Sequence, residues 1–125
     1  MKRTLLAVLL ISVSTANLNA ENLKVQLFHT NDIHGWYMSR PASFYKEDPK
    51  RLIGGFPVMA NALKKLSEPG AATFLVDAGD WFQGTPEGSL SKGSNTVALF
   101  NAMKYDLVTL GNHDFDFGED ELKWL

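Results

Sequence analysis

Three short runs of strand-forming residues each break off into a loop bearing Gly, Asp or Asn, and helix-like spacing fills the gaps between them. This alternation limits the possible folds more than any other feature of the chain. Lys24-Val25-Gln26-Leu27-Phe28-His29 alternates and stops at Thr30-Asn31-Asp32, as a strand entering a loop does. Thr73 to Ala78 is nearly continuous apolar sequence ending at Gly79-Asp80, the pattern of a strand covered on both faces. Leu107-Val108-Thr109-Leu110 forms a third strand broken by Gly111-Asn112. Between the first two, Phe56, Pro57, Met59, Ala60, Leu63 and Leu66 fall at helical spacing after Gly54-Gly55. Pro57 is tolerated in a first helical turn, and Pro69-Gly70 ends the helix. Ser94 is expected to cap a second helix carrying Val97, Leu99, Phe100 and Met103. The polar stretch from Ser39 to Lys50, with Pro41 and Pro49, reads as one long loop. Glu119-Asp120-Glu121 opens a last helix, where acids complement the dipole. Strands alternating with helices imply an α/β fold: a parallel sheet joined by right-handed crossovers, with helices on both faces.

The first twenty residues have a different character. Met1-Lys2-Arg3-Thr4 is basic, Leu5 to Val13 is an apolar run of signal-peptide length, and small residues lead to Ala16 and Ala20. A transmembrane anchor needs about 20 apolar residues, and Ser12, Ser14, Thr15, Asn17 and Asn19 end the run sooner. Residues 1–20 are therefore expected to be a signal peptide, cleaved after Ala16 or Ala20. The product should be periplasmic or secreted, with no stable membrane anchor. Removing Lys2 and Arg3 leaves 10 basic against 14 acidic side chains, a formal charge of −4, which argues against a nucleic-acid polymer as partner. The absence of cysteine removes thiolate zinc sites, thiol nucleophiles and disulfides together.

In a parallel sheet every strand enters its loop at the same edge, where ligands bind. The three strand ends here carry Asp32-Ile33-His34, then Asp80, then Asn112-His113-Asp114-Phe115-Asp116. Neighbouring strands lie about 4.8 Å apart, so loops from three of them converge within roughly 10 Å. Carboxylates gathered so closely resist ionisation unless a positive charge sits among them. Imidazole nitrogens with carboxylate and amide oxygens suit Zn, Mn, Fe or Co. Two divalent ions about 3.5–4 Å apart, sharing a carboxylate, use this donor set better than one tetrahedral ion does.

His29-Thr30-Asn31-Asp32-Ile33-His34-Gly35, Asp77-Ala78-Gly79-Asp80-Trp81-Phe82-Gln83-Gly84 and Gly111-Asn112-His113-Asp114-Phe115-Asp116 resemble, in this order, the first three blocks of the calcineurin-like metallophosphoesterases. More narrowly, they resemble the secreted 5′-nucleotidase branch. The resemblance implies a layered α/β metallophosphoesterase fold and two divalent ions, Zn, Mn, Co, Mg or Fe. It implies that Asp32 and His34 hold the first ion, Asp80 bridges both, and Asn112 ligates the second. Asn112 and His113 would face the substrate phosphate, and Asp116 would orient His113 and stabilise its charged form. The chain departs from the family in carrying Asp114 where Glu is common, at a position given no ligand role. The later metal-ligating histidines of the family, and its substrate-gripping second domain, have no counterpart here. Residues 21–125 are therefore expected to be the amino-terminal part of a catalytic domain.

The implied activity is hydrolysis of nucleoside monophosphates to nucleosides and phosphate. Alternatives are a 2′,3′-cyclic-nucleotide phosphodiesterase, a UDP-sugar hydrolase, or a non-catalytic metal-binding fragment. Asp77 reads as a hydrogen-bonded acid behind the site rather than a ligand, and His29 as structural or as a group hydrogen-bonded behind the ligands. A P-loop, a dinucleotide-binding glycine pattern and a serine-hydrolase elbow are all absent.

Overall fold

The computed structural model describes residues 22–125, so the expected signal peptide lies outside the described residues. Strand β1 (Val25–Thr30) is followed by a two-residue strand β2 (Arg40–Pro41) and its antiparallel partner β3 (Leu52–Ile53). Helix α1 (Gly55–Leu66) leads to β4 (Ala72–Asp77), then to helices α2 (Pro86–Ser91) and α3 (Ser94–Met103). Strand β5 (Leu107–Val108), a 3₁₀ turn over His113–Phe115 and helix α4 (Glu119–Trp124) complete the order. The main sheet runs β1-β4-β5, parallel throughout, with Leu27 beside Phe74 and Asp77 beside Val108. Among the described residues no helix is long and apolar enough to cross a membrane.

The helices cover one face of this sheet, not two. Both crossovers step across the sheet in the same direction, and connections of the same hand then put their helices on the same side. Phe56 of α1 and Phe100 of α3 accordingly meet, with ring centroids 6.3 Å apart. On the other face Val25, Leu27, Phe74 and Leu107 are exposed, so β4 is not covered on both faces as its apolar run suggests.

An aromatic cluster of Tyr37, Phe56, Trp81, Phe82 and Phe100 forms the core. Phe100 lies at its centre, 4.4 Å from Tyr105 and 5.6 Å from Trp81 between ring centroids. Burying aromatics contributes the largest apolar area per side chain, which suits a small sheet with few strands to share the load. At one end of the sheet, Gln26 donates to Leu66 O and accepts from Glu68 N, fixing the exit of α1 against β1. Lys64 and Lys65 in the last turn of α1 complement its dipole.

Three local expectations change. The segment from Ser39 to Lys50 is not all loop, because Arg40–Pro41 pairs with Leu52–Ile53. Gly93, in left-handed conformation, caps α3, while Ser94 Oγ donates back to Ser91 O. Helix α2 adds an element to those the spacing predicts. Buried Thr85 caps it, accepting from Gly88 N at 3.1 Å and donating to Gly35 O at 2.9 Å. Thr85→Ala removes both bonds and is expected to cost about 1–2 kcal/mol in urea unfolding, with Thr85→Ser nearly neutral.

Candidate metal centre

Beyond the last ladder pair, the three loops that leave β1, β4 and β5 are tied together by hydrogen bonds to one turn, Gly79-Asp80-Trp81. Its three carbonyls accept from the first loop: Gly79 O from Asp32 N at 2.9 Å, Asp80 O from His34 N at 3.0 Å, and Trp81 O from Gly35 N at 3.0 Å. Its three N–H groups donate to buried carboxylates. Gly79 N meets Asp77 Oδ1, while Asp80 N and Trp81 N meet Asp114, each at 2.8 Å.

This frame brings Asp32, His34 and Asp80 together, with one ligand atom from each lying within 4.8 Å of the others. His34 Nε2 stands 3.5 Å from Asp32 Oδ1 and 4.0 Å from Asp80 Oδ2. Its Nδ1 donates to the Gln83 carbonyl at 2.7 Å, which turns the ring so that Nε2 faces the two carboxylates. All three residues hold the left-handed backbone conformation, with φ of 53° at Asp32, 48° at His34 and 62° at Asp80. That conformation is costly outside glycine, and it persists here at three adjoining positions because the surrounding hydrogen bonds over-determine it.

His113 joins the cluster from the third loop. Its ring centroid is 5.5 Å from that of His34, its backbone N–H donates to Asp80 Oδ1 at 2.9 Å, and its Nδ1 lies 2.8 Å from Asp116 Oδ2. The Asp116 hydrogen bond holds the His113 pKa above the ordinary histidine value, against the lowering effect of desolvation. Asn112 is exposed between His113 and Gly111, and a Cβ placed on Gly111 would lie 2.2 Å from Asp80 Oδ1. The third loop therefore approaches Asp80 at van der Waals contact. Beside Asp32 opens a groove of about 300 Å³ lined by Ile33, Trp36, Phe56 and Met59. A cavity of similar size between Trp81, Tyr105 and Leu122 contains none of the candidate ligands.

The donor set fits a divalent cation. Two carboxylates and an oriented imidazole converge, and the side chains of His34 and Asp80 keep 28% and 13% of their surface open to an entering ion. Asp77 is kept out of this set. It is buried, takes the Thr30 hydroxyl at 2.5 Å, and has its pKa raised by burial despite the Thr30 and Gly79 donors that lower it. Two contributors escape sequence reading. The Gln83 carbonyl is a backbone group, which no side-chain pattern reveals. Asp114, read as having no ligand role, is 1% exposed and accepts three backbone N–H groups. The one local signal is its place three residues after Gly111, a spacing at which an Asp returns to the backbone.

Residues 25–125 match the calcineurin-like phosphoesterase family. The chain is 32% identical over 99 residues to the snake venom 5′-nucleotidase of Crotalus adamanteus, covering 79% of this chain and 17% of that protein. It is 32% identical over 100 residues to the 5′-nucleotidase of Bos taurus, with the same coverage. Among solved structures it is similar to the NAD nucleotidase of Haemophilus influenzae, with a TM-score of 0.67 and 32% identity, covering 79% of this chain and 18% of that one. The chain thus spans about a sixth of the length of these relatives. With the match running from β1 through α4, the chain belongs to the calcineurin-like phosphoesterase family.

Proposed function

We propose that this chain is the amino-terminal part of the catalytic domain of an exported, two-metal 5′-nucleotidase, which hydrolyses nucleoside monophosphates to nucleosides and phosphate. The observation that carries this reading is the convergence of Asp32, His34 and Asp80, with the His113–Asp116 pair beside them. Residues 1–20 are its signal peptide, in keeping with a relative named for venom.

Asp32 and His34 would hold one divalent ion, Asp80 both, and Asn112 the second. A bound ion would act as a Lewis acid and lower the pKa of coordinated water towards the neutral range. Asp32 and Asp80 contribute two negative charges, so two divalent ions held there would give an acidic chain an electropositive pocket for phosphate. His113, whose ring Asp116 holds by a hydrogen bond, would donate to a phosphate oxygen or to the leaving oxygen as charge develops there.

His113→Ala is expected to lower kcat about 10²-fold. Asp116→Asn removes the bond that raises the His113 pKa, so the proton is lost at lower pH. The alkaline limb of the kcat/KM profile should then move to lower pH, and an unmoved limb would separate His113 from the titrating step.

The activity test uses the protein expressed from its complete reading frame and stripped with chelator. Nucleoside and phosphate are measured as products from AMP, and the monophosphate products of P–O bond hydrolysis from NAD, a 2′,3′-cyclic nucleotide and a UDP-sugar, with Mn²⁺, Zn²⁺ or Co²⁺ restored. AMP hydrolysis that returns with metal is the expected result. Preference for NAD, the compound named for the Haemophilus influenzae neighbour, would redirect the substrate. Metal uptake without turnover of any ester would leave only a binding module.

A further inference from the structure

Resting on the metal reading above, the geometry points to Asp114 as a positioning residue: a side chain that touches no ion, yet sets the affinity of the metal centre by holding the backbone of Asp80 against the third loop. The β4–β5 ladder ends at the Asp77–Val108 pair, so past that point no regular strand pairing holds these two loops in register. The Asp114 carboxylate takes over. Oδ2 accepts from Asp80 N at 2.8 Å and from Gly111 N at 2.9 Å, and Oδ1 accepts from Trp81 N at 2.8 Å. The contact is reciprocated, since Asp80 Oδ1 accepts from His113 N at 2.9 Å. Each loop thus supplies a carboxylate to the backbone of the other.

A shift at Asp114 has two routes to the centre. It acts directly on Asp80, whose φ of 62° needs external support. It acts on the first loop through the Asp80 and Trp81 carbonyls, which hold His34 N and Gly35 N. Both oxygens must accept, because three donors converge on them. Asn offers a single acceptor oxygen and turns an NH₂ group towards at least one of those N–H groups. Glu keeps the charge and both acceptors.

The test uses the protein from its complete reading frame, stripped with chelator and titrated with Mn²⁺ by calorimetry well below the melting midpoint of every variant. Asp114→Asn is expected to weaken Mn²⁺ binding about tenfold or more, the usual scale for a group that orients ligands. It should lower kcat for AMP with KM changed less than twofold at saturating Mn²⁺. Asp114→Glu is expected to keep Mn²⁺ affinity within about threefold. In the unsubstituted, metal-free protein the amides of Asp80, Trp81 and Gly111 should exchange slowly with deuterium, which decides the matter if Asp114→Asn does not fold. Parental Mn²⁺ affinity in folded Asp114→Asn, a loss in Asp114→Glu equal to that in Asp114→Asn, or fast exchange at those three amides would overturn the assignment. An unsubstituted protein that takes up no Mn²⁺, Zn²⁺ or Co²⁺ would overturn the metal reading itself.

Discussion

Asp80→Asn is expected to remove metal-dependent phosphate ester hydrolysis, by about 10³-fold or more in kcat/KM, while leaving the protein folded. At about 1.36 kcal/mol per tenfold, that is roughly 4 kcal/mol of transition-state stabilisation. The substitution is chosen to separate chemistry from structure. Asn tolerates the left-handed backbone that Asp80 adopts at φ 62°, and its side-chain oxygen still accepts the His113 N–H. What it removes is the negative charge and one oxygen donor at the point where Asp32, His34 and Asp80 meet. Asp80→Ala would confound the two, because it also leaves the His113 N–H without its acceptor and puts alanine at a strained φ. The checks are elemental analysis, circular dichroism and AMP turnover at saturating Mn²⁺. Activity within tenfold of the parent in a folded Asp80→Asn protein would exclude Asp80 from the proposed centre.

Gly111→Ala carries a large expected structural penalty next to the centre. An added Cβ would sit 2.2 Å from Asp80 Oδ1 and 2.6 Å from Asp80 N, so side-chain rotation alone cannot relieve the overlap. The loops would have to separate, against the Asp114 bonds that join them. A loss of about 3 kcal/mol in urea unfolding of the metal-free protein is expected, the upper end of ordinary overpacking, together with weaker Mn²⁺ binding. Gly70→Ala provides the contrast. Gly70 has φ 78° but nothing within 4 Å of an added Cβ, so only the backbone term applies, about 1–2 kcal/mol, with metal binding intact. Equal losses in the two variants would mean that close approach to Asp80 is not what fixes glycine at 111.

The parts of this structure that were legible in the sequence are those encoded by runs of residues. The stretches around Val25–Thr30 and Ala72–Asp77 declare themselves by apolar content and a sharp break, and α1 by its spacing. Once the strands are taken as parallel, their ends share one edge, which is why the convergence of Asp32, His34 and Asp80 is legible in the sequence. Strand order is not written in such runs, so coverage of both sheet faces was expected where the same-direction steps of β1-β4-β5 give coverage of one. Two-residue strands such as Arg40–Pro41 have no periodicity to read. Helix α2 did carry a signal, Thr85-Pro86-Glu87, a capping residue followed by a first-turn proline and acid. The Asp114 bonds to Asp80 and Trp81 join residues more than thirty positions apart, and nothing local announces them. The left-handed conformation at His34 is of the same kind, imposed by the Asp80 and Gly84 backbone around it rather than by the histidine.

The most direct measurement is a crystal structure of the protein from its complete reading frame grown with Mn²⁺, with anomalous diffraction recorded at the manganese edge. The expected map has a peak bonded to an Asp32 oxygen, His34 Nε2 and an Asp80 oxygen, and a second peak sharing Asp80 and reaching Asn112. A fully occupied Mn²⁺ elsewhere, with those three side chains still within 4.8 Å of one another and no peak between them, would contradict the metal centre on which the proposed hydrolysis depends.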